Sequence, residues 1–259
     1  MIDYEVVSGA AEARPWLTLV HGFSQNRRYF APALPNLRGK YRLLLVDLRG
    51  RGASSGLSGP FGIEEYADDL EQVFAAEEIE RTHYWGTHTG TAIGLVLALR
   101  KPALLEKLVL EGAVLPGSPM SRTVELQARA SDVARTQGVP AALADWLEHA
   151  DWFANMNAHP AETNAAGQRE LVNEFEGAPW LSDLVPRPVT GVRSRLDEID
   201  QRTLIYNGVD DLDEFEQVAT VLELELANVE RIVIPGAGGF PLWERPSRVV
   251  PIVVKHLGS

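Results

Sequence analysis

The run Gly86-Thr87-His88-Thr89-Gly90 has the spacing of a nucleophile elbow, a strained turn between strand and helix that lifts its middle side chain above a sheet edge. A strand-like run, His83 to Gly86, precedes it, and an apolar helical pattern, Gly90 to Arg100, follows it. Serine is the usual occupant of the lifted position. Here it is His88, whose imidazole can take a proton from water as a general base or attack a carbonyl directly. Leu19-Val20-His21-Gly22-Phe23 ends an early strand, so the backbone N–H groups of Phe23 and, past the elbow, of Thr89 could form an oxyanion hole. His21 reads as a residue that fixes its own loop. Ser24, Thr87 and Thr89 carry hydroxyls near the elbow, but flanking side chains are expected to point away from the lifted position. The glycines of Asp47-Leu48-Arg49-Gly50-Arg51-Gly52-Ala53-Ser54 suit a tight loop, with Arg49 and Arg51 expected to stabilise it.

These turns need a sheet to hold them. Short β-type runs recur at Tyr4 to Val7, Leu17 to Val20, Tyr41 to Asp47, His83 to Gly86 and Lys107 to Leu110, with helical patterns at 29–37, 63–78 and 90–100 between them. That alternation predicts an α/β fold with parallel strands and crossover helices on both faces. Leu43-Leu44-Leu45-Val46 and Leu108-Val109-Leu110 are apolar without alternation, as central strands buried on both faces must be. From 118 to 200 the pattern is helical, around 121–137, 140–156 and 162–176, and strands resume at Thr203 to Asn207 and Val229 to Ile234 before a last helix beyond Pro246. The helical stretch carries Trp146, Trp152, Phe153 and Trp180, which are expected to dock it on the sheet and to line a pocket beneath it.

Taken in order and spacing, the His21-Gly22-Phe23, Asp47–Ser54 and Gly86–Gly90 segments resemble the α/β-hydrolase superfamily, especially its small esterase, enol-lactonase and haloperoxidase-like members. The resemblance extends over nearly the whole chain. It implies an α/β-hydrolase core formed by residues 1–115 and 200–259, with a helical cap inserted at 116–199. Thr203-Leu204-Ile205-Tyr206-Asn207-Gly208-Val209-Asp210-Asp211 looks like the strand and loop that carry the family's triad acid, which maps onto Asp211. Ile234-Pro235-Gly236-Ala237-Gly238-Gly239-Phe240-Pro241 resembles the loop that carries its catalytic histidine. Here the sequence departs from the family: Gly239 stands at the histidine position, as His88 stands at the serine position. A serine nucleophile needs histidine to take its proton and a carboxylate to orient that histidine, so the acyl-enzyme route is not inherited. The two departures are read as linked. Gly239 vacates the volume of the usual ring, and His88 is expected to reach into it and pair with Asp211. Glu111 is the second candidate partner, because related folds sometimes place their acid there.

The remaining sequence narrows the function classes. The chain has 259 residues, 45% of them hydrophobic and 23% charged, with 24 Lys plus Arg against 36 Asp plus Glu and a formal charge of −12. Such a chain can bury its own core, and its acidity together with the lack of a basic stripe argues against a nucleic-acid partner. No run approaches the roughly 20 apolar residues of a membrane span. Cysteine is absent, which removes thiol catalysis and zinc-thiolate sites and suits a reducing cytoplasm. His149 and His159 lack metal-ligand spacing, and Gly50-x-Gly52 lacks the Lys-Ser/Thr of a phosphate loop, so neither metal nor organic cofactor is expected. The expected function is hydrolysis of a small ester, lactone or related carbonyl compound by His88 with a carboxylate partner. The alternatives are a non-hydrolytic catalyst, such as a lyase or cofactor-free oxygenase, and a ligand-binding or interaction protein that has lost catalysis.

Overall fold

The computed structural model describes residues 1–7 and 14–258. Seven strands, β1 (Tyr4–Val7), β2 (Trp16–Val20), β3 (Arg42–Val46), β4 (Thr82–Thr87), β5 (Leu105–Glu111), β6 (Arg202–Gly208) and β7 (Val229–Ile234), form one sheet. Their order is β1-β3-β2-β4-β5-β6-β7. β1 runs antiparallel to β3, and all other neighbours are parallel. β2 and β4 are buried along their whole length, while the edge strand β7 is mostly half-buried. Side-chain alternation splits the core in two. Leu17, Leu19, Trp85 and Val109 face one cluster, and Val20, Tyr84, Leu108 and Leu110 face the other.

The helical stretch between β5 and β6 joins the first cluster through Trp146, Trp152, Phe153 and Trp180. Its main helices are Ser121–Gln137, Val139–His149 and Ala165–Asn173. Two helical expectations are corrected. The 29–37 pattern is a 3-10 turn, Arg27–Phe30, followed by a single α-turn, Leu34–Leu37, because Pro32 and Pro35 remove two N–H donors from the stretch. The 140–156 pattern is interrupted at Ala150, whose backbone is extended (φ −74°, ψ 123°), so Trp152 and Phe153 lie on a separate 3-10 turn. Among the described residues, no helix is long and apolar enough to cross a membrane.

The register brings the chemistry to one edge. Gly86 pairs with Val20 and Leu110, Thr87 with Glu111, and Glu111 with Tyr206. The segments after β2, β4, β5 and β6 therefore converge at the carboxyl ends of the central strands, where ligands bind in open parallel sheets.

Candidate active site

Between β4 and the helix Thr89–Arg100, His88 adopts φ 45°, ψ −110°, a conformation that costs a non-glycine residue roughly 1–3 kcal/mol. The surroundings hold it there. Its N–H donates to the Glu111 carbonyl at 2.9 Å, and its carbonyl accepts from the Thr91 N–H at 2.8 Å and the Thr91 hydroxyl at 2.6 Å. The flanking glycines are dictated by contact. A Cβ on Gly90 would lie 2.2 Å from the Val20 carbonyl oxygen, and one on Gly86 would lie 2.5 Å from that of Gly90.

The imidazole meets the rings of Phe215 and Phe240 at 5.3 and 5.1 Å between centroids. His88 is half-buried as a residue, yet its Nε2 is shielded from solvent and has no hydrogen-bond partner among the described residues. Burial pushes the ring's pKa down to about 4, against the opposing pull of a backbone hydrogen bond at Gly239. The ring is therefore neutral at pH 7. It lines a cavity of about 60 Å³ together with Phe23, Ser24, Gln25, Thr89 and Trp152. By the volume a buried water occupies, that holds roughly four water-sized groups.

The expected carboxylate pairs are not formed. Among the described residues there is no hydrogen bond or ion pair between His88 and Asp211. The Asp211 carboxylate instead accepts from Asn207 Nδ2 at 3.1 Å and from the Leu212 N–H at 2.8 Å, both in its own loop. Burial still pushes its pKa up to about 7. Glu111 is also turned away: only its backbone meets His88, while its side chain, fully buried, accepts from the hydroxyls of Tyr29 and Tyr206. Burial raises Glu111 to about 8, with the two phenols and the Leu242 N–H pulling it down.

The Gly239 expectation is half corrected. The His88 ring does reach the backbone of Gly239, but the volume beside that glycine is not vacant. A Cβ on Gly239 would lie 2.6 Å from Trp152 Cβ and 2.7 Å from the Trp152 carbonyl oxygen, so the helical stretch has moved into the space a larger residue would need. Glu244, buried beneath this loop, accepts from the N–H groups of Gly238 (2.7 Å) and Phe240 (3.0 Å) and from the Asn155 amide.

Of the four aromatics, Trp146 and Trp152 line the cavity. Phe153 and Trp180 do not: Phe153 packs on the Phe240 ring at 4.9 Å, and Trp180 on Trp146 and Phe175 at 5.4 and 4.9 Å. Among the described residues, the backbone N–H groups of Phe23 and Thr89 have no protein acceptor. Phe23 is fixed from behind, its carbonyl accepting from Arg51 Nε at 2.9 Å, and Arg51 is itself buried against the rings of Phe23 and Tyr66. His21 acts on its loop: Nδ1 donates to the Gly22 carbonyl at 2.7 Å, and Nε2 accepts from the Leu48 N–H at 3.1 Å. Ser24 and Thr89, expected to point away, line the same cavity as His88, although neither hydroxyl bonds its ring among the described residues.

Gln25 and Gly112 were missed by the sequence reading. Gln25 is buried and lines the cavity. Its Oε1 accepts from the Gly22 N–H at 3.1 Å, and its Nε2 has no partner among the described residues. Its place two residues beyond Phe23 was the available signal. Gly112, at φ +54°, makes room for the imidazole, since a Cβ there would lie 2.8 Å from His88 Nε2.

A family model described as the alpha/beta hydrolase fold matches residues 15–246. The chain belongs to the α/β hydrolase fold family. Among its relatives within this family, a Rhizobium rhizogenes protein described as "Putative carbamate hydrolase RutD" is 30% identical over 199 residues, 76% of this chain and 74% of that protein. Two solved structures share the α/β hydrolase fold. The enol-lactonase from Burkholderia xenovorans has a TM-score of 0.80 at 22% identity, covering all of this chain and 96% of that one. MenH from S. aureus has a TM-score of 0.84 at 19% identity, covering all of this chain and 98% of that one.

Proposed function

We propose that this α/β hydrolase fold protein hydrolyses a small, uncharged carbonyl compound of the ester, lactone or carbamate type, with His88 as the base that activates water. The observation that carries this reading is the strained His88 backbone, which sets a neutral imidazole into the wall of a small cavity. The R. rhizogenes relative, whose description names a carbamate hydrolase, supports the substrate class. In the step proposed, a water gives a proton to the His88 imidazole as its oxygen attacks the carbonyl carbon, and the carbonyl electron pair moves onto oxygen. The N–H groups of Phe23 and Thr89 stabilise that oxyanion. On collapse, the bond to the leaving group breaks and the leaving group takes the proton back from the imidazolium. A ring of low pKa is a weak base in isolation. In a cavity lined mainly by apolar side chains, however, imidazolium and oxyanion form together and stabilise each other, which offsets the missing carboxylate.

One observation favours a second reading. With no carboxylate to orient or stabilise its imidazolium, the same cavity could bind its ligand without turnover. Comparing the wild type with His88→Ala on p-nitrophenyl acetate, γ-butyrolactone and methyl carbamate separates the two. General-base catalysis predicts a 10²- to 10⁴-fold drop in kcat for the variant on the substrate that is turned over. Equal rates for both proteins on all three compounds would overturn the hydrolase reading.

A further inference from the structure

Arg51 is a buried cation without a carboxylate. It is 1% exposed, and among the described residues it takes part in no ion pair. The other two arginines around this loop are neutralised: Arg49 is held by both Asp69 oxygens at 2.5 and 2.6 Å, and Arg27 Nε by Asp47 at 2.8 Å. Gly50, at φ +75°, and Gly52, at φ +47°, bend the loop on either side of Arg51. In place of an anion the guanidinium meets neutral oxygens and ring faces. Nη1 donates to the Arg49 carbonyl at 2.9 Å and to the Tyr66 hydroxyl, and the rings of Phe23, Tyr66, Phe175 and Phe61 have their centroids 4.9, 5.2, 5.7 and 5.9 Å away. Nη2 has no hydrogen-bond partner among the described residues. A guanidinium is not deprotonated in a protein, so burying one without a counter-charge is costly. Its remaining bond points at the candidate site, where Nε donates to the Phe23 carbonyl at 2.9 Å.

Phe23 lines the cavity, and Arg51 lies behind it. Standard backbone dimensions keep the nitrogen and oxygen of one residue close together, which puts Arg51 Nε within roughly 6.5 Å of the Phe23 nitrogen. We infer that Arg51 is a positioning residue for the oxyanion: it fixes the Phe23 N–H through the carbonyl of the same residue and sets an unneutralised positive charge behind that donor. No side chain that lines the cavity is cationic, so this charge reaches the site only from behind Phe23. Surrounded by aromatic rings and not by water, it acts weakly on a neutral carbonyl compound and strongly on the anion formed when that compound is attacked. The effect therefore falls on kcat and not on KM. The inference rests on the reading of this cavity as a hydrolytic site, and within that reading it assigns Arg51 the electrostatic support of the tetrahedral species.

The test pairs kinetics with binding in the wild type, in Arg51→Gln, which is neutral and keeps a donor, and in Arg51→Lys, which keeps the charge. On whichever of p-nitrophenyl acetate, γ-butyrolactone and methyl carbamate the wild type turns over, Arg51→Gln should lower kcat about 10- to 100-fold with KM within about twofold, and Arg51→Lys should be at least about fivefold faster than Arg51→Gln. Binding is followed at the Phe23 and Thr89 amide signals of ¹⁵N-labelled protein with methyl methylphosphonate, a tetrahedral monoanion, and with methyl acetate, its neutral planar counterpart. The wild type should bind the phosphonate about tenfold or more tightly than the ester, and Arg51→Gln should lose that preference. Equal wild-type affinity for the two compounds overturns the inference, whether or not the variants fold. Equal losses of kcat in Arg51→Gln and Arg51→Lys also overturn it, since that is the result of a loop-holding role alone. Phosphonate binding that depends on Arg51, without turnover of any compound, leaves Arg51 as the support of an anion at Phe23 and removes the hydrolase reading. Turnover that Arg51→Gln leaves unchanged does the reverse.

Discussion

His88 and Glu111 are joined by a backbone hydrogen bond, and both carry side chains whose ionisation is suppressed by burial, yet the protein treats the two in opposite ways. Glu111 is held by two phenol hydroxyls, and Tyr206 in turn accepts from the Trp85 indole at 3.1 Å. His88 Nε2 has no hydrogen-bond partner among the described residues. A saturated buried network fixes structure, whereas a buried group left open, on a backbone that is itself strained, is where a fold keeps its capacity for a ligand. The difference supports the proposal that puts chemistry on the imidazole, and it gives the Glu111 carboxyl group an architectural setting.

The strongest way to break this contrast is to delete each group in turn and follow stability in urea. Glu111→Ala strands two phenols and the Leu242 N–H, and it should cost about 3–5 kcal/mol. His88→Ala removes a ring with no polar partner at Nε2 among the described residues and should cost about 1 kcal/mol while lowering turnover about 10²- to 10⁴-fold. Comparable losses of stability from the two would mean that His88 is structural after all.

Acid and base limbs of stability sharpen the same comparison. His88 is lowered from 6.5 to about 4, so the unfolded chain binds the extra proton first, and its contribution is complete above pH 6.5 and lost as pH falls toward 4. Glu111 is raised from 4.5 to about 8, so its contribution is complete below pH 4.5 and lost as pH rises through 8. The stability difference between wild type and His88→Ala should therefore rise with pH between 4 and 6.5. The difference between wild type and Glu111→Gln should fall between 4.5 and 8, each with a slope approaching about 1.4 kcal/mol per pH unit. Flat differences measured by urea titration across these windows would contradict the assignment.

Two smaller effects probe the space around the imidazole. Restoring a ring at Gly239, as in the double substitution His88→Ser with Gly239→His, should lower stability by about 1–3 kcal/mol, because Trp152 occupies the position of the new Cβ. It should also fail to create a serine hydrolase on p-nitrophenyl acetate; burst release of nitrophenol by the double variant would show that Trp152 yields. Gly112→Ala, at φ +54° and 2.8 Å from His88 Nε2, should cost roughly 1–2 kcal/mol in backbone strain. It should reduce activity far more than melting temperature, since it displaces the ring and leaves the Glu111 network in place.

The sequence by itself determined the sheet, the elbow and the helical insertion. Apolar runs without alternation specify strands covered on both faces, and the elbow motif, with glycines where no Cβ fits, specifies a turn whose geometry is local. It also isolated His88 and Gly239 as departures from the pattern. The tertiary structure alone decided what those departures mean. Whether Asp211 or Glu111 meets His88 depends on side-chain directions at the ends of β5 and β6, and the answer is neither. Whether Gly239 leaves a void depends on Trp152, 87 residues earlier in the chain, at a break in a helical pattern that periodicity alone reads as continuous. Gln25 carries no motif, and it became visible only when packing brought it to the wall of the cavity that His88 lines. Local spacing fixes which atoms a turn presents; the partners those atoms find, or lack, are set by elements distant in sequence that fold over them.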